Sequence, residues 1–165
     1  MASFEIRDLT FTYPGRHRPA IMNIDLIIGE GEFVCICGQS GSGKSTLLRN
    51  LKPVLAPHGE RRGSIEFCGE PIDGLDQAMQ VARIGYVLQD PDSQLVTDRV
   101  WHELAFGLES LGLDTKTIRL RVAEMASYFG IQSWFDRDIS ELSGGQKQIL
   151  NLASVMVMHP DVLIL

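Results

Sequence analysis

A glycine-rich run, Gly38-Gln39-Ser40-Gly41-Ser42-Gly43-Lys44-Ser45, constrains this chain more than any other feature. It fits the pattern G-x-x-x-x-G-K-[ST]. Glycines let the backbone wrap so that successive N–H groups converge on one point, where phosphate oxygens can sit. Lys44 supplies a point charge for the β- and γ-phosphates of a nucleotide, and Ser45 a hydroxyl suited to Mg²⁺. The flanks agree with this reading. Phe33-Val34-Cys35-Ile36-Cys37 is a continuous apolar run, as in a strand buried on both faces. Residues 44–52 read as a helix halted by Pro53, whose positive N-terminal end adds to the anion site.

The remaining pattern is that of one folded domain of 165 residues, with 44% hydrophobic and 22% charged residues, which excludes a disordered chain. The charge is −6, from 15 Lys+Arg against 21 Asp+Glu, so there is no global attraction to nucleic acid or an anionic membrane. No apolar stretch is long enough to span a bilayer, and residues 1–5 lack the tripartite pattern of a signal peptide. Cys35, Cys37 and Cys68 are too few for a disulfide framework, and no further soft ligands lie near for a metal. The expectation for Cys35 and Cys37 is burial on one face of a strand.

Residues 4–11 alternate apolar and polar side chains, as a half-buried strand does, and residues 21–28 form a second strand. Further strands are expected at 63–69 and 84–88. Helical spacing recurs at Val100, Leu104 and Leu108, and at Ile118, Val122, Met125 and Phe129, with Asp98 and Asp114 as N-caps. A last helix opens at Ser143-Gly144-Gly145 and runs to about Met158. Strands alternating with helices around a glycine loop indicate an α/β fold with a mainly parallel sheet, to which the N-terminus adds an antiparallel sheet.

Leu142-Ser143-Gly144-Gly145-Gln146 is a second motif: an N-cap serine and two glycines expose backbone N–H groups at a helix start. With the loop and Thr46 that follows it, this motif resembles the ATP-binding cassette (ABC) ATPases. Gln89, at the end of the strand at 84–88, resembles the family's Q-loop residue, and Tyr13 the aromatic residue that stacks on adenine. The resemblance implies a P-loop NTPase core with an inserted helical subdomain. It implies three parts: core and β subdomain at 1–88, Q-loop and helical subdomain at 89–141, and signature helix with a final strand at 142–165. ATP and Mg²⁺ are the implied cofactors. Gly38, Gln39, Ser40, Gly41, Ser42, Gly43, Lys44, Ser45 and Thr46 would hold the phosphates, with Lys44 and Gln89 acting in catalysis and Ser45 and Gln89 on Mg²⁺. Ser143, Gly144, Gly145 and Gln146 would contact nucleotide bound to a second cassette.

The segments Leu88 to Val96 and Val100 to Glu109 resemble the energy-coupling factor group of importers. That implies a cytoplasmic-face, membrane-peripheral subunit with two partners, a second cassette and a transmembrane coupling subunit, docked near Gln94, Leu95 and Val96. Cargo would be a vitamin or an ion such as cobalt or nickel, without direct contact to the cassette. The Val162-Leu163-Ile164-Leu165 run resembles the family's Walker B strand, and the acidic pair that follows that strand lies outside these 165 residues. The expectation is a cassette cut short there, with nucleotide binding kept weakly and hydrolysis lost. A DNA-repair or chromosome-maintenance cassette is the weighed alternative; the stretch between Gln89 and Leu142 has no sustained heptads and no basic cluster. A P-loop kinase or GTPase is disfavoured by the second motif. His102 beside Glu103 makes no metal cage, and His159 lies before the final strand.

Overall fold

The computed structural model describes residues 2–165, and the chain divides into two units, the first ending at Gln80 and the second comprising Val81–Leu165. In the first unit, β1 (Ala2–Thr12) lies between β2 (Ile21–Gly29) and β3 (Glu60–Phe67), antiparallel to both. The two-residue β4 (Glu70–Pro71) extends the β3 edge.

The apolar residues of β1 set this layer: Phe4, Ile6, Leu9 and Phe11 are all buried. Their spacing skips a beat between Ile6 and Leu9. A bulge absorbs the extra residue, with Asp8 at φ 48° and a register shift against both neighbouring strands. Across from it, Gly63 has φ 86°, and a Cβ there would strike the carbonyl oxygens of Arg7 and Asp8. Ile65 and Phe67 complete the buried face, with the Phe4 and Phe67 rings 5.1 Å apart.

The segment at 33–37 departs from expectation. It forms no strand, Phe33 is 92% exposed, and Cys35 and Cys37 are exposed rather than buried, with their sulfurs 3.5 Å apart. Among the described residues no strand pairs with it, so its N–H and C=O groups have no ladder to join. The Cys35 thiol is pushed above its ordinary pKa, chiefly by its hydrogen bond with Cys37. The helix α1 (Lys44–Asn50) is followed by a 3₁₀ turn at Pro53–Leu55, and β3 begins at Glu60 rather than Gly63. A short helix, α2 (Gln77–Arg83), lies where sequence reading placed none.

In the second unit, β5 (Ile84–Tyr86) pairs in parallel with β6 (Val162–Ile164). The helices are α3 (Val100–Ser110), α4 (Thr115–Phe129) and α5 (Gly144–Met156). Their apolar stripes meet in one core that includes Leu104, Leu108, Val122, Ile131, Leu150 and Ala153, each fully buried. Each such leucine contributes about 2 kcal/mol by leaving water. Elsewhere on α3, Trp101 is half-buried and Phe106 is 48% exposed. The architecture is α/β, with an antiparallel N-terminal sheet, a parallel strand pair and a helical subdomain inserted between the paired strands.

Asp98 does not cap α3. Arg99 holds the N-cap position, and the Asp98 carboxylate faces His102 Nδ1 at 3.2 Å. The backbone at 98–99 is claimed elsewhere: Asp98 O accepts from Ile139 N, and Arg99 bridges Asp138. Asp114 does cap α4, accepting from the N–H groups of Lys116 and Thr117 and from the Thr117 hydroxyl. Those bonds, led by the hydroxyl, hold its pKa below the ordinary 3.8.

A pH prediction follows from the sign of that shift. A depressed folded pKa stabilises above the unfolded value and is lost as pH falls through the folded value. An Asp114→Ala variant should melt below the parent at pH 6, and the gap should narrow as pH drops beneath 3.8. Paired thermal melts across that range check it.

Candidate nucleotide site

The first unit brings the glycine loop and Tyr13 together. Gly43 ends the loop at φ 94° and precedes α1. A Cβ on Gly43 would lie 2.5 Å from Ala20 O and 2.6 Å from Ile21 Cγ2, so only glycine lets the loop close onto the start of β2. Ala20 is in turn tied to β1 by its N–H to Phe11 O, 2.8 Å. Tyr13 lies just past β1, its ring edge-on to Phe11 at 5.0 Å. Its hydroxyl shares a 3.0 Å hydrogen bond with the Thr46 hydroxyl on α1. Thr46 is buried and Tyr13 half-buried, so the aromatic ring is fixed relative to the loop at both ends.

Within the loop, Lys44 Nζ donates to Gly38 O and Gln39 O, each 2.8 Å. The ammonium thus spans the loop and satisfies two carbonyls. Gln39, Ser40, Gly41, Ser42 and Ser45 are exposed, and Gly41 takes φ 80° with open space around it. An exposed backbone with one fixed positive charge is the chemistry that a polyphosphate requires. Among the described residues no cluster of three or more His, Cys, Asp or Glu could hold a metal. The exposed Ser45 hydroxyl is a hard oxygen donor of the kind that suits Mg²⁺ beside phosphates.

The second unit holds Gln89 and residues 143–146. Gln89 is exposed on a bend after β5. The loop around it is closed on itself, because Leu88 N donates to the Gln94 side chain at 2.7 Å. Asp90 accepts from Asp92 N and the Ser93 hydroxyl, bracing the 3₁₀ turn Pro91–Ser93. Beyond it, Glu103 is only 5% exposed. It accepts from Val96 N, Thr97 N and the Thr97 hydroxyl through one oxygen, so that buried acceptor is satisfied.

Ser143 caps α5 in a reciprocal capping box: its Oγ accepts from Gln146 N at 3.3 Å, and its own N–H donates to Gln146 Oε1 at 2.8 Å. Ser143 and Gln146 are therefore used in shaping the helix start. Gly144 and Gly145 are exposed, with nothing within 4 Å of a Cβ at either, leaving the helix start open to an approaching partner.

Sequence reading missed three residues that hold this region. Lys147 Nζ pairs with Asp92 Oδ1 at 2.6 Å, and Asn151 Nδ2 donates to Pro91 O at 3.1 Å. Lys147 and Asn151 are one helical turn apart on α5, which was the available signal. Their partners lie far off in sequence.

The capping box yields a stability prediction. Ser143→Ala should cost about 1 kcal/mol. Urea unfolding should show a lower midpoint with an unchanged slope.

Comparison with known proteins gives the geometry its family. An ABC transporter ATP-binding protein of Bacillus cereus is 42% identical over all 165 residues, which make up 30% of its length. The energy-coupling factor transporter ATP-binding protein EcfA of Syntrophomonas wolfei is 42% identical over 161 residues, 97% of this chain and 58% of that one. The solved structure of cbiO1 from Clostridium perfringens, part of the ABC transporter complex cbiONQ, superposes with a TM-score of 0.85 at 33% identity. That match covers 98% of this chain and 64% of cbiO1. A dimeric ATP-binding cassette in a post-hydrolysis state, bound to ADP and Pi, gives 0.80 at 25% identity, covering 95% of this chain and 70% of the other. The fold is that of the P-loop NTPases. The model of the ABC transporter family matches residues 21–165, and the chain belongs to that family.

Proposed function

We propose that the chain is the ATP-binding part of an ABC importer of energy-coupling factor type. The observation that carries the nucleotide reading is the coupling of base and phosphate elements in one unit: Tyr13 bonded to Thr46, and Lys44 spanning the glycine loop. Tyr13 offers a ring for adenine. Residues 38–46 offer the exposed backbone of 38–42, the exposed Ser45 hydroxyl and the Lys44 charge for the phosphates, with Thr46 holding Tyr13 beside them. Ser45 would be a ligand to Mg²⁺, which would neutralise charge on the β- and γ-phosphates; for Gln89, a part in holding Mg²⁺ and in orienting the attacking water is proposed on the family resemblance alone.

Ser143, Gly144, Gly145 and Gln146 cap the γ-phosphate held by a second cassette. The open space at Gly144 and Gly145 supports that assignment. ATP then bridges two surfaces, and loss of the γ-phosphate releases them. The functional division runs 1–88, 89–141 and 142–165. The transporter type is supported by the resemblance to EcfA and to cbiO1. Among the described residues no helix is long and apolar enough to cross a membrane. The proposed place is peripheral at the cytoplasmic face, through a transmembrane coupling subunit, on the resemblance to the energy-coupling factor cassettes. Val96, 64% exposed, with Gln94 and Leu95 beside it, is the proposed docking point. Cargo is a vitamin or a transition-metal ion that the cassette does not touch.

Calorimetric titration of Mg-ATP tests the reading. The 165-residue polypeptide should bind saturably, Lys44→Ala should abolish binding, and Tyr13→Ala should weaken it about fivefold, the loss of roughly 1 kcal/mol of stacking. Unchanged affinity in Lys44→Ala would overturn the phosphate assignment. In the full-length protein, Gly145→Asp should leave ATP affinity intact and abolish ATP-dependent pairing in sedimentation. Undisturbed pairing would remove the role given to residues 143–146.

A further inference from the structure

We propose that Asp92, Lys147 and Asn151 form a clasp that makes the turn after Gln89 and the helix carrying residues 143–146 move as one body. The three are positioning residues, and the proposal rests on the nucleotide roles just given to Gln89 and to the start of α5.

The turn is a closed unit. Pro91 O accepts from Gln94 N at 3.1 Å and Leu95 N at 3.3 Å, and the Asn151 amide is its third donor. Leu88 N is held by Gln94 and the Asp90 side chain by the turn, so Gln89 is carried on a braced loop from 88 to 94. A shift of Gln89 therefore moves Pro91 and Asp92 with it.

Helix α5 grips that unit with two side chains on one face. The Lys147–Asp92 pair is short, 2.6 Å, with the Lys147 side chain 19% exposed and that of Asp92 70% exposed. One turn on, Asn151 is fully buried. The Pro91 carbonyl fixes the amide orientation, since only Nδ2 can donate to it. Oδ1 is then buried without a partner, the one such side-chain atom among the described residues. An apolar side chain would fill this place without orphaning an oxygen. The asparagine sacrifices stability and gains a directional hold on the turn. Lys147 and Asn151 are the first and fifth residues after Gln146, so what they hold sits at the root of the motif that meets the partner's phosphate.

Charge reversal tests this in the full-length protein. Asp92→Lys and Lys147→Asp are compared with the double variant Asp92→Lys/Lys147→Asp, by Mg-ATP calorimetry and by ATP-dependent association in sedimentation. Each single reversal should leave ATP affinity within twofold and weaken association three- to tenfold. The double variant should return to within twofold of the parent, which loss of fold would not produce. Asn151→Leu should weaken association similarly while raising the melting temperature, by removing the orphaned oxygen. Single reversals that leave association unchanged, or a double variant no better than either single, would overturn the clasp. A parent protein that shows no ATP-dependent association would instead overturn the functional reading beneath it.

Discussion

Leu150, Ala153 and Val157 enter the same apolar core as Leu104, Leu108 and Val122, and the second unit depends on that burial. It fixes the roll of α5 about its own axis. With the apolar stripe turned inward, Lys147 and Asn151 are brought to the turn at 91–93, and Gly144 and Gly145 are left uncovered at the helix start. Had the stripe been rotated by one position, the glycines would face other partners and the capping box would open toward a different neighbour. Hydrophobic burial is non-directional, but a helix converts it into a direction for its polar residues.

The first unit solves a related problem differently. A loop with glycines in left-handed conformations has little to hold it in place by itself. It is held by its two ends: Gly43 packed against Ala20 and Ile21, and α1 tied through Thr46 to Tyr13. Lys44, meanwhile, spends its charge on two loop carbonyls. An incoming phosphate competes for an ammonium that already has partners, so binding exchanges hydrogen bonds rather than adding them, and the net gain is smaller than the bare charge suggests.

The legible parts of the sequence were those with local causes. The loop, the Asp114 cap and the Ser143 cap each depend on residues within a few positions, and each is where local chemistry put it. Misreadings came from long-range causes. Residues 33–37 have strand composition, but a strand also needs a neighbour, and none of the described strands pairs with them. Asp98 has the right side chain for a cap, yet its backbone is engaged by Ile139 and α3 starts one residue later. The clasp was invisible for the same reason, since Asp92 and Lys147 are far apart in the chain. Glu103 is buried because the loop at 96–97 folds back to donate to it, a contact that helical spacing alone does not show.

The bulge at Asp8 reaches further than its own strand. Side chains on a strand alternate faces, so one extra residue inverts the phase of everything after it. Leu9 and Phe11 are buried, and Tyr13 is packed on Phe11, only because that inversion takes place. Removing the single codon for Asp8 would leave Phe4, Ile6, Leu9 and Phe11 in plain alternation, so the buried face would survive without the bulge. One-residue insertions or deletions elsewhere between Phe4 and Phe11 meet no such absorber, and they would turn the residues beyond them to the opposite face.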